Sequence, residues 1–428
     1  MRPNWESGLR GRIYAFGRRA TPIAWRRALR RRLSSERLFG LRKPEVEISL
    51  LPLDAGPARP GRPDIVVLPV IPWSYRRQRP QQLSEALARR GRRVFYGTLR
   101  GSGEPEYAVG VAPGVTLLPI RRVRREDLGD RRLRGRALEA AAAGLAESRS
   151  RFDLEEAVLL VQSPFWGPLA RAMRQRFGWR VVYDCLDAHE GFPTNRLRIL
   201  AEAERELAAS ADLVVATSEA LRQRMAQWSS SSRLLPNACD FGLFGELPPP
   251  APEPGRLTVG YAGAVDAWFD MDLLGRLAAL RPAWRFEIVG GLEDVAAEPL
   301  RLPNVVFHGE RPHREMPALK ARFDVEIIPF RLSPLTHATD PVKLYEAAAA
   351  GRTAVATPMR SLEPFARRGL VRLASTPEEF AREIDAAAAD AGGAARRLRA
   401  FARENTWDIR AATLESWLVN LRLAAKAT

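Results

Sequence analysis

The sequence predicts an α/β protein built from two doubly wound parallel sheets. Short, continuous apolar segments of strand length alternate with longer segments of helical periodicity over most of the chain. Uninterrupted apolar strands separated by helices are typical of parallel sheets that are covered by helices on both faces. A proline-rich segment divides this alternation into two parts, and 428 residues with 46% hydrophobic content suffice for two cores.

The first part follows a segment rich in Pro, Gly and Arg, and its pattern predicts six strands with helices between them. The predicted strands are 64–70, 93–97, 115–120, 157–162, 180–184 and 212–217. The clearest helical patterns between them cover 81–90, 167–177 and 196–209. Because the strands are apolar throughout, we expect them to lie in the interior of the sheet.

The second part begins after prolines at 248–250, 252 and 254, which exclude both a helix interior and a central strand. Its predicted strands are 257–262, 285–289, 305–308, 325–328, 353–356 and 370–373. Apolar residues at helical spacing predict a last helix over 407–426. We therefore expect a basic extension (1–60), a first domain (61–245), a linker (246–255), a second domain (256–407) and a final helix (408–428) that packs back on the first domain.

The positive charge of the chain is concentrated at its N-terminus. Lys and Arg number 67 against 50 acidic residues, a net charge of +17, and residues 1–43 alone carry +11. Trp25, Leu29 and Leu33 recur every four residues with arginines between them, which predicts a short basic helix that lies on an anionic membrane surface. A solvated Arg-rich tail fits the same pattern. The +6 left for the other residues does not favour nucleic acid as a partner.

Composition also indicates where the protein works. No apolar run approaches the about 18 to 20 residues of a membrane-spanning helix, and the N-terminus is too charged for a secretory signal. Two cysteines, Cys185 and Cys239, are too few for a disulfide framework. We expect a cytoplasmic protein, with peripheral attachment to the inner face of the cell membrane as a further expectation.

One segment of the second part has the features of an anion site. Asp340 and Pro341 precede an alanine-rich helix that ends at Gly351, and a buried strand follows. The free N–H groups and the positive dipole end of such a helix bind anions, and Lys343 and Glu346 share one face near that end. We expect a nucleotide diphosphate here. The alternative is an ordinary ion pair between Lys343 and Glu346.

Several motifs, taken in order, resemble the GT-B glycosyltransferases, and in particular the family 4-like enzymes of glycosyl transferases group 1. The motifs are QRPQQL (78–83), ADLVVATS (211–218), LLPNACD (234–240), VGYAGA (259–264), VVFHG (305–309), FDV with IPF (323–330) and KLYE with AG (343–351). The resemblance implies two Rossmann-like domains that face a cleft. It covers the chain from about residue 64 to the C-terminus.

The resemblance implies transfer of a sugar from a nucleotide-sugar in the second domain to an acceptor in the first, without a metal or another cofactor. Protein cations and helix amides then stabilise the leaving diphosphate. The residues implied to bind the donor are Gly263, His308, Asp340, Lys343, Leu344 and Glu346. For three of them other readings stay open: Gly263 as a plain strand-to-helix turn, His308 as a core histidine and Asp340 as a helix N-cap.

Two departures from the family pattern bear on the donor site. The family carries two glutamates here; Glu346 matches the second, which in relatives binds the ribose, but Ala338 stands at the position of the first. The family's Arg/Lys pair for the diphosphate is also not evident after Gly263. More of the charge stabilisation therefore falls to Lys343, and the sugar contacts and the retaining outcome usual in the family become uncertain.

The first domain offers candidates for acid/base chemistry and for the acceptor. Asp187 and His189 follow the predicted strand 180–184 and lie at its carboxyl end, so either side chain could move the acceptor's proton. Gln78 and Arg79 follow the first strand, and Arg79 could hold an acceptor phosphate. Surface loops without function explain both pairs as well.

We therefore expect a metal-independent, retaining glycosyltransferase that acts on a cell-envelope, lipid-linked or exopolysaccharide acceptor. A nucleotide-sugar epimerase on the same fold is one alternative, and it would need no acceptor. A non-catalytic scaffold that binds sugar nucleotides is another, because the acid at Ala338 and the Arg/Lys pair are missing.

Overall fold

The computed structural model describes residues 48–59, 61–100, 103–124, 133–191, 197–248, 256–293, 295 and 297–426. The basic segment 1–43 and most of the predicted linker lie outside the described residues. The described chain forms two lobes, each built on one sheet with helices on its faces. The predicted α/β class with two mainly parallel sheets is confirmed.

The sheet of the first lobe has eight strands in the order β3-β4-β2-β1-β5-β6-β7-β8. Its strands are β1 (Asp64–Leu68), β2 (Val94–Arg100), β3 (Val109–Ala112), β4 (Val115–Arg124), β5 (Ala157–Val161), β6 (Arg180–Cys185), β7 (Leu213–Ala216) and β8 (Ser232–Leu234). All neighbours are parallel except β3 and β4. The helices of this lobe are α1 (Arg79–Arg89), α2 (Gly135–Phe152), α3 (Gly167–Phe177), α4 (Leu197–Ser210) and α5 (Glu219–Ala226). The short helix α6 (Phe241–Phe244) follows them in the chain, but its Phe244 is buried in the core of the second lobe.

The sheet of the second lobe has six parallel strands in the order β11-β10-β9-β12-β13-β14. The strands are β9 (Thr258–Ala262), β10 (Arg285–Val289), β11 (Val305–Gly309), β12 (Val325–Ile328), β13 (Thr353–Ala356) and β14 (Arg372–Leu373). The helices are α7 (Met271–Leu280), α8 (Met316–Lys320), α9 (Pro334–Ala338), α10 (Val342–Ala349), α11 (Glu363–Arg367), α12 (Pro377–Ala389), α13 (Ala391–Arg403) and α14 (Trp407–Lys426). This strand order is that of a dinucleotide-binding Rossmann sheet.

The predicted strands all occur, with ends that differ by a few residues, and the structure adds β3 and β8. The strand β3 is a short edge strand that pairs in antiparallel fashion with β4, and β8 has three residues and is largely exposed. The strand β8 has the sequence SRL and so lacks the continuous apolar run by which the interior strands were predicted, whereas β3 has the short apolar sequence VGVA. Edge strands need no such run because one side of them faces solvent.

The last helix, α14, packs on the first lobe although it follows the second lobe in the chain. Trp407, Ala411, Leu414 and Leu418 on one face of α14 are buried in the same core cluster as residues of α1 and β1. Glu415 on that side pairs with Arg92 at 2.7 Å. The chain therefore returns to its first lobe, as the periodicity over 407–426 predicts.

The lobes also contact each other where the strands of both sheets end. The N–H of Asn237 donates to Oδ2 of Asp340 at 2.6 Å, and the Asn237 amide donates back to the Asp340 carbonyl at 2.7 Å. The hydroxyl of Ser218 donates to the carbonyl of Ala338 at 2.6 Å. Two segments of the first lobe are thus bonded to the segment that leads into α10.

A buried ion pair fixes the strand ends of the first lobe. The guanidinium of Arg79, at the start of α1, meets the Asp184 carboxylate at 2.8 Å, and both side chains are almost fully buried. Its remaining donors bond to the carbonyls of Leu235 and Pro236 and to Oδ1 of Asn237. Every nitrogen of this guanidinium is occupied by protein groups, so the acceptor contact expected for Arg79 is not available in this arrangement.

Replacing Leu414 by Ala tests the docking of α14 on the first lobe. Leu414 is buried in the shared core, so we expect the cavity to lower the free energy of unfolding by about 2–5 kcal/mol. Val419 on the same helix is exposed, and Val419→Ala should change stability by less than about 0.5 kcal/mol. Urea unfolding of both variants checks this. Equal effects would show that α14 does not pack as described.

Replacing Arg79 by Met tests its structural role. The change leaves the Asp184 carboxylate buried and unpaired, so we expect a loss of about 3–5 kcal/mol in the free energy of unfolding. Arg198→Met is the matched control, because its pair with Glu202 is exposed and worth less than about 1 kcal/mol. A stable Arg79→Met protein would contradict the structural assignment.

Candidate functional site

The candidate site lies at the carboxyl ends of the strands in the middle of the second sheet. The strand order reverses at β9: the chain continues from β9 to β10 and β11 on one side and then returns to β12, which pairs with the other side of β9. Ligands of open α/β sheets bind in the crevice at such a switch point. Gly263 directly follows β9, and the helix after β12 that carries Lys343 is α10.

The side chain of Lys343 lies against the turn that follows β9. Its Nζ is 5.4 Å from the ring centre of Tyr261 and 5.6 Å from that of Phe330. No described residue forms an ion pair with this ammonium. Cation–π contacts partly replace the water that the ammonium loses. Lys343 is therefore a half-buried cation held by aromatic rings and not by a carboxylate.

The shape of this place requires glycine. Gly263 has φ of +151°, and a Cβ on it would lie 2.2 Å from Cε of Lys343 and 2.4 Å from Nζ. Gly290, which follows the neighbouring strand β10, has φ of +148°, and a Cβ on it would lie 1.8 Å from the Gly263 carbonyl oxygen. Both the backbone conformation and the space exclude other residues. Gly263 therefore forms the turn that the sequence suggests, and the Lys343 side chain also packs closely against it.

The electrostatic surroundings of Lys343 lower the pKa of its amine to about 8. Burial is the main cause, and the charges of Lys320 and Arg76 act in the same direction, while Glu346 and Glu326 oppose them. An anion next to this ammonium would favour its charged form. The site therefore favours an anionic ligand on electrostatic grounds.

The helix α10 begins one residue later than the sequence suggests. Its N-cap position is Pro341, and no side chain caps it. Asp340 accepts from the N–H of Asn237 and from the hydroxyl of Tyr345 at 3.0 Å, so the N-cap reading of Asp340 is wrong. Burial raises the pKa of Asp340 to about 6, against these hydrogen bonds. Its carboxylate joins the lobes, and the donor contact expected for it stays a prediction.

Two further residues of α10 were expected at the donor site. The N–H of Leu344 donates to the Pro341 carbonyl at 3.0 Å, and its side chain is fully buried, so Leu344 offers no group to a ligand. Glu346 does not pair with Lys343. Its carboxylate lies 3.6 Å from Nζ of Lys320, and the ordinary ion-pair alternative for residues 343 and 346 is therefore wrong.

His308 lies beside Glu287 of the neighbouring strand β10. Its Nε2 lies 3.3 Å from Oε2 of Glu287, a buried residue of β10. Glu287 also pairs with Arg285 at 2.7 Å and Arg322 at 2.5 Å. This placement matches the core-histidine reading. A donor contact by its imidazole would require the side chain to leave Glu287.

Asp187 follows β6 at the edge of the first lobe that faces α10. No described residue donates a hydrogen bond to its carboxylate. Burial raises the pKa of Asp187 to about 7, with Arg79 opposing the shift and Asp340 adding to it. A carboxyl group with a pKa near neutrality can accept a proton at physiological pH. Of the two acid/base candidates, Asp187 has the better electrostatic setting.

His189 belongs to a separate polar cluster inside the first lobe. Its Nε2 is buried and has no partner among the described residues. Burial lowers its pKa, with the charges of Glu204 and Arg224 acting in opposite directions. Glu204 itself accepts from the hydroxyl of Tyr183 at 2.6 Å and pairs with Arg224. The structure thus places His189 beside this cluster, and its expected catalytic role stays a prediction.

Gln78 is exposed just before α1, where its N–H donates to the Gln81 side chain at 3.1 Å. Because the Gln78 side chain is exposed, an acceptor could reach it, and the acceptor contact expected for Gln78 stays a prediction. Its neighbour Arg76, which was not singled out from the sequence, crosses to the second lobe and meets Glu310 at 2.7 Å and Glu293 at 3.3 Å. The arginine-rich composition of the chain hides such a residue, because nothing distinguishes it from surface arginines.

Arg76 also approaches the glycine turns. A Cβ on Gly291 would lie 2.2 Å from its guanidinium. Arg76 is thus a cation that the first lobe supplies close to the turn after β10. Arg76 therefore lies near the glycine turns, where the sequence does not show the Arg/Lys pair that the family resemblance implies.

Within the described ranges, no group of three or more His, Cys, Asp and Glu side chains is arranged to hold a metal ion. Of the helices in the same part of the chain, none is both long and apolar enough to cross a bilayer.

The chain is similar in sequence to a glycosyltransferase of Bacillus subtilis. Over 207 residues the chain is 28% identical to TuaH of Bacillus subtilis (strain 168), which is named as a teichuronic acid biosynthesis glycosyltransferase. The match covers 43% of this chain and 52% of the relative. It therefore spans about half the length of that protein.

Solved structures with a similar fold match most of this chain and nearly all of their own length. Sucrose-phosphate synthase from Thermosynechococcus elongatus has a TM-score of 0.63 at 17% identity and covers 85% of this chain and 100% of its own. Anabaena HepE in complex with UDP-glucose has a TM-score of 0.59 at 16% identity, with 83% and 99% covered. These similarities concern the fold, which is GT-B.

Two sequence profiles match, one on each lobe. The profile described as glycosyl transferase 4-like domain matches residues 76–238, and the one described as glycosyl transferases group 1 matches residues 256–390. Together they cover most of the chain, in the order that the motifs in the sequence indicate. The chain belongs to the GT-B glycosyltransferase family.

Proposed function

We propose that this protein is a glycosyltransferase that moves a sugar from a nucleotide-sugar, bound by the second lobe, to an acceptor bound by the first. The observation that carries the proposal is the ammonium of Lys343 at the switch point of the second sheet, which is half-buried and forms no ion pair with a carboxylate of the described residues. Family membership and the nucleotide complexes of HepE support it.

The donor diphosphate is proposed to lie between Lys343 and the N-terminus of α10. The first N–H groups of a helix have no partner inside the helix, and here they include those of Val342 and Lys343. When the sugar leaves, negative charge grows on the diphosphate, and donors already in place stabilise it. Glu346 is proposed to accept from the ribose hydroxyls. The chemistry proposed for these residues uses protein cations and does not assign a metal.

The acceptor is proposed to lie beside Asp187, whose carboxylate takes the proton of the attacking hydroxyl. The loop that carries Asp187 touches α9, because a Cβ on Gly191 would lie 2.6 Å from that of Leu335. Ala338, at the position of the family's first glutamate, ends α9. We propose a retaining outcome, which the anomeric configuration of the product would test by NMR.

The acceptor class is proposed from the relative in Bacillus subtilis. That protein is named for teichuronic acid biosynthesis, which supports a cell-envelope, lipid-linked or exopolysaccharide acceptor here. Attachment of residues 1–43 to the inner face of the membrane stays a prediction, because this segment lies outside the described residues. Nothing in the comparisons favours the epimerase or scaffold alternatives.

A thermal-shift screen across UDP-, GDP-, TDP- and ADP-sugars is the first test of the donor. A ligand that binds only the folded state raises the melting temperature. Product formed from the donor alone would indicate an epimerase. Binding without transfer to any acceptor would indicate a scaffold.

Replacing Lys343 by Met tests the proposed diphosphate contact. We expect nucleoside diphosphate affinity to fall by about 10- to 100-fold, as for loss of a charged hydrogen bond. Because burial lowers the amine pKa to about 8, the charged form is present below this pH and is lost above it. Wild-type affinity should therefore fall as the pH rises from about 7 to about 9.5.

Calorimetry over that pH range is the measurement. The variant should bind weakly and with little dependence on pH. Arg372→Met, which removes a cation at the far edge of the same sheet, is the control and should bind as the wild type does. Unchanged affinity in Lys343→Met would refute the contact.

Replacing Asp187 by Asn tests the proposed base. Burial raises the carboxyl pKa to about 7, so the base form appears as the pH rises through about 7, and the wild-type turnover rate should rise with it. Asp187→Asn should lower kcat by about 10²- to 10⁴-fold and remove this dependence. Glu202→Gln, on the exposed side of α4, is the control. A kcat unaffected by Asp187→Asn would exclude Asp187 as the base.

A further inference from the structure

A second lysine, Lys320, lies next to the carboxylate of Glu346. Lys320, the last residue of α8, is fully buried, and its Nζ lies 2.6 Å from Oε2 of Glu326. The same Nζ lies 3.6 Å from Oε2 of Glu346 and 5.8 Å from the ring centre of Phe244. One ammonium therefore serves two carboxylates from different elements, β12 and α10.

The three charges differ in their access to solvent. The side chains of Lys320 and Glu326 are 0% and 3% exposed, whereas that of Glu346 is 17% exposed. Burial of an ion pair is costly, and an apolar pair of similar size is often as stable or more stable. Stability alone therefore gives little reason for a lysine at position 320. Its contact with the one carboxylate that reaches the surface gives a functional reason.

We propose that Lys320 is a positioning residue that holds the carboxylate of Glu346 in the orientation needed to bind the two ribose hydroxyls of the donor. The inference rests on the proposed function, in which Glu346 accepts from the ribose. The Lys320 ammonium attracts Oε2 of Glu346 and limits rotation of the Glu346 side chain. Less conformational entropy is therefore lost when the ribose hydroxyls bind. Glu326 balances the charge of the ammonium when no ligand is bound.

The ligand pair that tests this role differs only in the ribose hydroxyls. UDP, GDP and ADP are each compared with their 2′,3′-dideoxy counterparts by calorimetry. The wild type should bind the ribose form about 10- to 100-fold more tightly, because the dideoxy form leaves a charged acceptor without its hydrogen bonds. The ratio of the two affinities reports the Glu346 contact and not binding in general.

The variants are chosen so that Lys320 is never left without a carboxylate and Glu326 is never left without its ammonium. Glu326→Leu keeps Lys320 and its contact with Glu346, and we expect it to keep the wild-type ratio. Lys320→Met combined with Glu326→Leu replaces the buried pair by apolar residues and should reduce the ratio to about threefold or less, with dideoxy affinity unchanged. The two proteins differ only at position 320. Thermal unfolding of both checks that they fold.

The outcomes separate this inference from the proposed function. If the double variant keeps the wild-type ratio, or weakens both ligands equally, Lys320 is structural and the inference is wrong. If the wild type binds the nucleotides without discrimination, the ribose contact of Glu346 is wrong and this inference fails with it, while nucleotide binding stands. If the wild type binds none of the nucleotides, the proposed function itself fails.

Discussion

The site depends on the contact of one ammonium with two aromatic rings and a glycine turn, without an ion-paired carboxylate among the described residues. Proteins usually pair a half-buried cation with an acid, because loss of water disfavours its charge. Here the rings of Tyr261 and Phe330 lie within 5.6 Å of the Lys343 ammonium, and Gly263 allows the approach. The charge stays available to an outside anion. The nearest carboxylate on the same helix, that of Glu346, is instead engaged by Lys320.

Contacts between the lobes occur at both positions where the sequence departs from the expected family pattern. At Ala338, where the resemblance implied a glutamate, the backbone carbonyl accepts from Ser218 of the first lobe, so α9 takes part in joining the lobes. Close to the expected Arg/Lys pair, Arg76 reaches across from the first lobe to Glu310. Cations near the glycine turns therefore come from both lobes.

The sequence predicted most of the fold and part of the site, for reasons that lie in the range of the interactions. Interior strands and α14 were predicted because apolar periodicity is local, and the position of Lys343 at a helix start follows from spacing. The N-cap reading of Asp340 failed because a partner 103 positions away, Asn237, takes its carboxylate. The acceptor contact predicted for Arg79 failed for the same reason, because its guanidinium is taken by Asp184, which lies 105 positions away in the sequence. The role of Lys320 was not visible, because only the packing of α8 against β12 and α10 brings it to Glu346.

The pKa of the Lys343 amine, measured by NMR of selectively labelled lysine with and without a nucleoside diphosphate, tests the central claim most directly. The chain has four lysines, and Lys343→Met assigns the signal. We expect a pKa of about 8 for the Lys343 amine in the free protein. This pKa should rise when the diphosphate binds, because the anion favours the charged ammonium form. An amine that titrates at its ordinary value near 10.4, and is unmoved by bound nucleotide, would contradict it.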